Sequence, residues 1–221
     1  MSGLFTHIDW GDIGAASLDT LAMLAGSLIA TVIVGLPLGV ILFLTGPKRL
    51  LAQPGVHAAL SILVNGLRSV PFIILLILMI PLTVALVGTS LGVVGAVPPL
   101  VVGAAPFFAR LVESALREVD PGVVEAAQAM GATDRQIVFE ALLPEAMPGI
   151  AAGVTVTAVA LVSYTAMAGV VGAGGLGDLA IRFGYQRFQT DVMVVTVALM
   201  LVIVQALQMI GDRVVAAFSH R

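Results

Sequence analysis

Charge divides this chain more sharply than any other feature. Thr20–Pro47, Ser69–Ala109, Ala146–Gly177 and Val192–Gly211 are runs of 28, 41, 32 and 20 residues without one Asp, Glu, Lys or Arg. A helix crosses the hydrocarbon core of a bilayer with about 20 apolar residues, so the 28-, 32- and 20-residue runs each hold one span. As a single helix the longest run would extend about 60 Å, twice the core thickness. It also carries Pro81, Gly88, Gly92, Pro98 and Pro99 as breakers. It therefore reads as two spans joined by a short turn near Gly88–Gly92. The expected fold is an all-α, polytopic membrane protein with five transmembrane helices. One domain covers 1–221, with spans at about 18–44, 61–87, 91–116, 147–169 and 192–217.

Composition agrees. Hydrophobic residues make up 59% of the chain and charged residues 10%, where a soluble domain is about a quarter charged. Disorder, which needs high charge and low hydrophobicity, is excluded as well. The first basic residue is Lys48, and the first apolar run exceeds that of a secretory signal. It is expected to remain as a membrane helix.

Orientation follows from the basic residues, which concentrate in cytoplasmic loops. With the N-terminus outside and the C-terminus cytoplasmic, Lys48, Arg49, Arg68, Arg110, Arg117, Arg135, Arg213 and Arg221 fall inside. Only Arg182 and Arg187 fall outside. The acidic start, with Asp9, Asp12 and Asp19, fits an outer location.

Several functions find no support. A net charge of -3 without a basic tract leaves no footprint for nucleic acid. There is no cysteine, and His7, His57 and His220 make no metal-ligand spacing. Ser27, Ser61, Ser163 and Thr155 have no intramembrane His, Lys or Asp to activate them, so no catalytic residue is assigned. No Asp, Glu or Lys is expected to be buried in a span, which argues against an ion-coupled pump. Gly172-Ala-Gly174-Gly175-Leu-Gly177 fits G-x-G-x-x-G, but a dinucleotide site needs it between a strand and a helix, and here it follows a membrane span. It reads instead as closely packed backbone at the outer end of span four.

Residues 110–145 hold ten of the chain's charges and form its one sizeable polar segment. Glu113 and Arg117 stand four apart, as a helical ion pair does. Asp120 can cap a helix with Pro121 in its first position, and that helix, Gly122 to Met130, ends at Gly131. Thr133-Asp-Arg-Gln136 is a capping box for a second helix, which Pro144 is expected to stop near Leu143. The result is a cytoplasmic helix–turn–helix over 120–144. The small-residue face of its first helix, with Glu125 as charged anchor, suits either a partner's groove or the chain's own helix ends.

Glu125-Ala126-Ala127, three residues, Gly131, nine residues, then Ala141-Leu142-Leu143-Pro144 resembles the "EAA" signature of ATP-binding-cassette (ABC) importer permeases. Ala141 replaces an isoleucine of that pattern. The resemblance covers almost the whole chain. Arg68-Ser-Val-Pro-Phe-Ile-Ile-Leu-Leu, Gly103-Ala-Ala-Pro-Phe and Gly169-Val-Val-Gly-Ala-Gly-Gly-Leu-Gly177 look like the methionine-uptake branch of the family. It implies a permease of the bacterial inner membrane that moves L- and D-methionine inward by alternating access. It implies as partners a second copy of the chain, two ABC ATPase subunits, an extracytoplasmic methionine-binding protein and the lipid bilayer. It implies ATPase coupling through Glu125, Ala126, Ala127, Gly131, Leu143 and Pro144. No cofactor is expected in this chain, since ATP and Mg would bind the ATPase. Its only lysine, Lys48 in Thr-Gly-Pro-Lys-Arg, is not in a P-loop.

The remaining assignments concern the spans. Ser163 and Met167 share a helix face and, with the adjacent Tyr164, either line the substrate path or pack between helices. Gly172, Gly174, Gly175 and Gly177, with Arg182 and Arg187, form an outer gate or a docking surface for the binding protein, the arginines being otherwise solvated at the interface. The alternatives are a permease for another amino acid or small solute, or a secondary transporter independent of ATP.

Overall fold

A computed structural model describes residues 9–219. His7, His220 and Arg221 lie outside the described residues. Every regular element among those described is helical. In chain order these are α1 (Trp10–Thr45), α2 (Pro54–Ser69), α3 (Phe72–Leu78), α4 (Ile80–Val87), α5 (Gly92–Glu118), α6 (Pro121–Ala129), α7 (Asp134–Gln136), α8 (Leu143–Ala168), α9 (Gly175–Leu179) and α10 (Thr190–Ser219). Four helical stretches are long and apolar enough to cross a bilayer, and five when the interrupted pair α2–α3 counts as one. In α10 only 6% of the most apolar window is buried, so lipid or protein outside this chain must cover the rest.

The breaks fall where the backbone demands them. Pro71 (φ −56°, ψ 132°) separates α2 from α3, since proline disfavours helix in the residue before it. Pro81 stands in the first turn of α4, where its missing N–H costs nothing. Gly88 (φ 81°) ends α4, and Gly92 (φ 69°) starts α5. α1, by contrast, continues through Pro37.

By its internal contacts the chain forms two compact units: one of residues 9–30, 70–104 and 158–208, the other of 31–69, 105–157 and 209–219. In the first, Met23, Leu24, Phe72, Leu100, Leu161 and Val162 make the main core. A smaller cluster joins Ile13 and Ala16 to Leu176 and Leu179. In the second, Phe43, Phe108, Val112, Leu116, Ile137 and Leu142 make the core. There α1 approaches α5 so closely that a Cβ on Gly39 would stand 2.5 Å from the Ala109 carbonyl oxygen. Small residues permit this contact, and dispersion between closely placed backbones stabilises helix pairs in lipid. Two buried hydroxyls are absorbed by their own helices: Ser27 donates to Met23 at 2.6 Å, and Thr157 to Gly153 at 2.7 Å.

Two expectations need correction. The helix does not stop at Pro144. A π segment, Ile137–Leu142, widens the turn ahead of it, and α8 runs on from Leu143 through Pro148. The wider turn takes up the hydrogen bond that proline cannot donate. Secondly, a span does hold a buried acid. Glu113 of α5 is 2% exposed. Arg110 and Arg117 each reach it at 2.5 Å, so it is locked between two cations at the polar end of its helix. Arg110 also donates to Asn65 of α2 at 3.1 Å.

Candidate functional site

The polar element is built by side chains that close each helix end. The Asp120 carboxylate accepts the Gly122 N–H at 2.8 Å, with Pro121 opening α6. At the other end Gly131 (φ 80°) lets the Gly131 N–H reach the Gln128 carbonyl at 2.9 Å and the Ala132 N–H reach that of Ala127 at 3.1 Å. This pair of bonds is the Schellman arrangement. Thr133 and Gln136 then form the reciprocal capping box: Thr133 Oγ1 accepts the Gln136 N–H, and Gln136 Oε1 accepts the Thr133 N–H at 3.0 Å.

This framework sorts the signature residues. Ala127 is buried with Ile137, Val138 and Leu142 in the core of its unit. Leu143 is half-buried, while Pro144 is exposed. Glu125, Ala126 and Gly131 face out. Two large apolar side chains join them, Met130 at 82% exposure and Phe139 at 63%. Beside α6 a cavity of about 430 Å³ is lined by Phe43, Lys48, Arg49, Val124, Glu125 and Gln128, among others. Lys48 adopts a left-handed conformation (φ 60°), and the Arg49 guanidinium lies 4.3 Å from the Phe43 ring centroid. The element therefore presents small and apolar groups beside a cup with acid on one wall and base on the other. Phe139, Lys48 and Arg49 were not assigned to this surface from the sequence. An isolated phenylalanine in a polar stretch was the available signal for the first, while only the folded chain brings the loop carrying the other two to α6.

The glycine turn is built differently. After α8 a short π segment, Gly169–Ala173, leaves helical geometry at Val171 and Gly172 (φ 93°). Gly174 (φ 79°) and Gly175 (φ 81°) complete a reversal that side chains rarely allow. α9 then packs back on α8 so tightly that a Cβ on Gly177 would stand 2.5 Å from the Ala166 Cα. Arg182 pairs with Asp178 at 2.7 Å. Arg182 and Arg187 also flank one ring, Phe183, at 4.9 and 4.5 Å. Both arginines thus have partners within the chain.

The two arms of this hairpin and α10 enclose an apolar groove of about 450 Å³. Ser163 and Met167 of α8, Gly177 and Ile181 of the returning arm, and Met200 and Leu201 of α10 line it. The Ser163 hydroxyl is the one polar side-chain group in the lining. Tyr164 is not part of it: its ring stacks on Phe72 at 4.4 Å, with the planes 8° apart. Of the three residues grouped by sequence, two share the groove and the third belongs to the core. Met200 and Ile181 were missed, because nothing local links them to Ser163.

An all-helical chain with four or five apolar helices, a capped polar element and an apolar groove has the architecture of a polytopic membrane protein. The chain is a member of the family of binding-protein-dependent transport system inner membrane components, whose model matches residues 35–221. It is 51% identical to the probable D-methionine transport system permease protein MetI of Vibrio cholerae over 206 residues, which cover 93% of this chain and 92% of that protein. It is 46% identical to the methionine import system permease protein MetP of Bacillus subtilis, over 98% of both chains. Among solved structures, a chain of the inward-facing MetNI methionine ABC transporter superposes with a TM-score of 0.93 at 44% identity, covering 99% of each.

Proposed function

We propose that this chain is the membrane-spanning subunit of an ATP-driven importer and carries L- and D-methionine inward. Two copies would pair with two separate ATPase subunits, and an extracytoplasmic binding protein would deliver the substrate. The N-terminus is placed outside and the C-terminus in the cytoplasm, a reading that the distribution of basic residues supports. ATP hydrolysis belongs to the ATPase subunits, and this chain performs no covalent chemistry.

One observation carries the reading: the signature segment folds into a doubly capped element whose Glu125, Ala126, Gly131 and Met130 are exposed. Small residues beside an exposed Met and Phe suit entry into a groove of another protein. Names of relatives matched along nearly the full chain support methionine as the cargo. The groove supports it too, being apolar with one hydroxyl, which suits a thioether side chain. In the transport cycle, ATP binding closes the ATPases and draws each docking element along. The spans then open outward, and hydrolysis returns them inward. Ser163 and Met167 contribute to the path, and the glycine turn with Arg182 and Arg187 forms the outer gate or the docking surface for the binding protein.

The test is uptake of labelled L- and D-methionine in cells lacking their own importers, with this chain, its ATPase and its binding protein expressed together or with the ATPase omitted. Uptake that requires the ATPase and is blocked by unlabelled methionine is expected. Uptake without the ATPase would instead indicate a secondary transporter. No methionine uptake by an assembled complex would reassign the cargo to another amino acid or small solute.

A further inference from the structure

The glycine turn has one fastening far removed in sequence. Thr20 of α1 is 1% exposed. Its hydroxyl donates to the Ala16 carbonyl at 3.0 Å. It also accepts the Leu176 N–H at 2.9 Å, across 156 residues of sequence. α9 has no side-chain cap from the residue that precedes it, and the first amides of any helix lack partners within it. Leu176 is 0% exposed, so water does not replace the bond. The fit around it is close: a Cβ on Gly175 would stand 2.7 Å from Thr20 Oγ1 and 2.9 Å from the Met23 Cε. Leu176 and Leu179 then seat against Ile13 and Ala16. The segment fastened in this way supplies Gly177, Ala180 and Ile181 to one wall of the apolar groove.

We propose that Thr20 is a positioning residue for transport: its hydroxyl clamps the start of α9 to α1 and so holds the groove wall formed by the returning arm of the glycine turn. This rests on the reading of that turn as an outer gate. The reversal runs through three glycines at positive φ and a non-helical step, so regular helical bonding does not carry across it. The Thr20–Leu176 bond therefore adds a directional fastening to the apolar packing of the returning arm, and it can open and re-form as a unit when the gate moves. The hydroxyl is the required feature. Valine keeps the shape of threonine and loses the acceptor, whereas serine keeps the acceptor.

The experiment uses the complete importer, with its ATPase and binding protein, in lipid nanodiscs for hydrogen exchange and in proteoliposomes for transport. In Thr20→Val, exchange of the peptide containing Leu176 is expected to rise by about tenfold or more, as a buried amide loses its partner. Methionine imported per ATP hydrolysed is expected to fall by about fivefold or more, because the gate and the ATP cycle lose their coupling. Thr20→Ser restores both. Wild-type exchange in Thr20→Val would overturn the clamp. Faster exchange with unchanged import per ATP would overturn its role in transport, as would equal losses in the serine and valine variants. If the valine variant does not assemble, Thr20→Ala against Thr20→Ser makes the same comparison. Should the wild-type importer carry no methionine, the cargo assignment fails, while the exchange comparison still decides for or against the clamp.

Discussion

Residues 169–177 reverse the chain through atoms that are missing, whereas residues 120–136 shape it through side chains that are present. In the glycine turn, Gly172, Gly174 and Gly175 adopt positive φ, and Gly177 leaves room for the Ala166 backbone. In the polar element, Asp120, Thr133 and Gln136 each complete a hydrogen bond that the helix ends lack. The Arg110–Glu113–Arg117 cluster adds charge pairing in the same unit. The first design permits close approach of backbones in an apolar setting, with the buried Thr20 hydroxyl as its long-range polar fastening. The second closes its helix ends with side-chain hydrogen bonds where water competes for every backbone group, which suits the proposed role of passing movement to another protein.

If this contrast is right, adding one atom should damage the first region and removing one group should damage the second. The largest effect is expected for Gly177→Ala, whose Cβ would meet Ala166 backbone atoms at 2.5 Å. A backbone contact has no rotamer by which to escape, so about 3 kcal/mol of stability should be lost, seen as a collapse in the yield of folded protein from detergent extracts. Wild-type yield and melting temperature would refute the packing argument.

Next comes Glu113→Gln. It leaves two guanidinium groups facing each other around a side chain that is 3% exposed. Breaking a buried pair in this way costs about 3 kcal/mol, reduced here to about 2.5 because Arg117 is half-exposed to solvent. A thermal melt of the purified chain measures it, and an unchanged midpoint would show that the cluster is solvated in the membrane.

Phe139→Asp separates folding from docking. At 63% exposure the side chain contributes little to its own unit. Its removal should leave the melting temperature alone and weaken binding of the ATPase by about 2 kcal/mol, roughly thirtyfold in Kd. A titration of labelled ATPase against the variant in nanodiscs checks this, and wild-type affinity would place the docking surface elsewhere. The smallest effect belongs to Thr133→Ala. It opens the capping box at a cost of about 1 kcal/mol, and hydrogen exchange confined to 133–137 is the measurement that detects it.

The polar element was legible in the sequence almost residue by residue, because each of its caps joins positions no more than four or five apart. Asp120 with Gly122, Thr133 with Gln136 and Gly131 with Gln128 are all local pairs. Pro144 was misread because a rule about proline in a helix takes no account of a widened turn upstream, and the π segment at 137–142 absorbs the defect. Glu113 was read correctly as half of an ion pair with Arg117 but not as a buried residue. Burial depends on the packing around α5, and the charge pattern carries no information about that. Tyr164 follows Ser163 in sequence, yet a helix turns about 100° per residue, and only the position of Phe72 decided which side faced the core.

Charge-free runs and caps therefore established by themselves that this is an all-helical membrane protein and how its polar element closes its helix ends, whereas the break between α2 and α3 fell inside an expected span and α5 ran on through Pro98 and Pro99. Those features act over one or two helical turns, and bilayer thickness sets their scale. The tertiary structure decided what the glycines make room for. Gly39 admits the Ala109 backbone, Gly175 admits Thr20, and the Thr20 hydroxyl caps a helix 156 residues away. A glycine specifies an empty volume, and what fills that volume is settled only when distant helices meet.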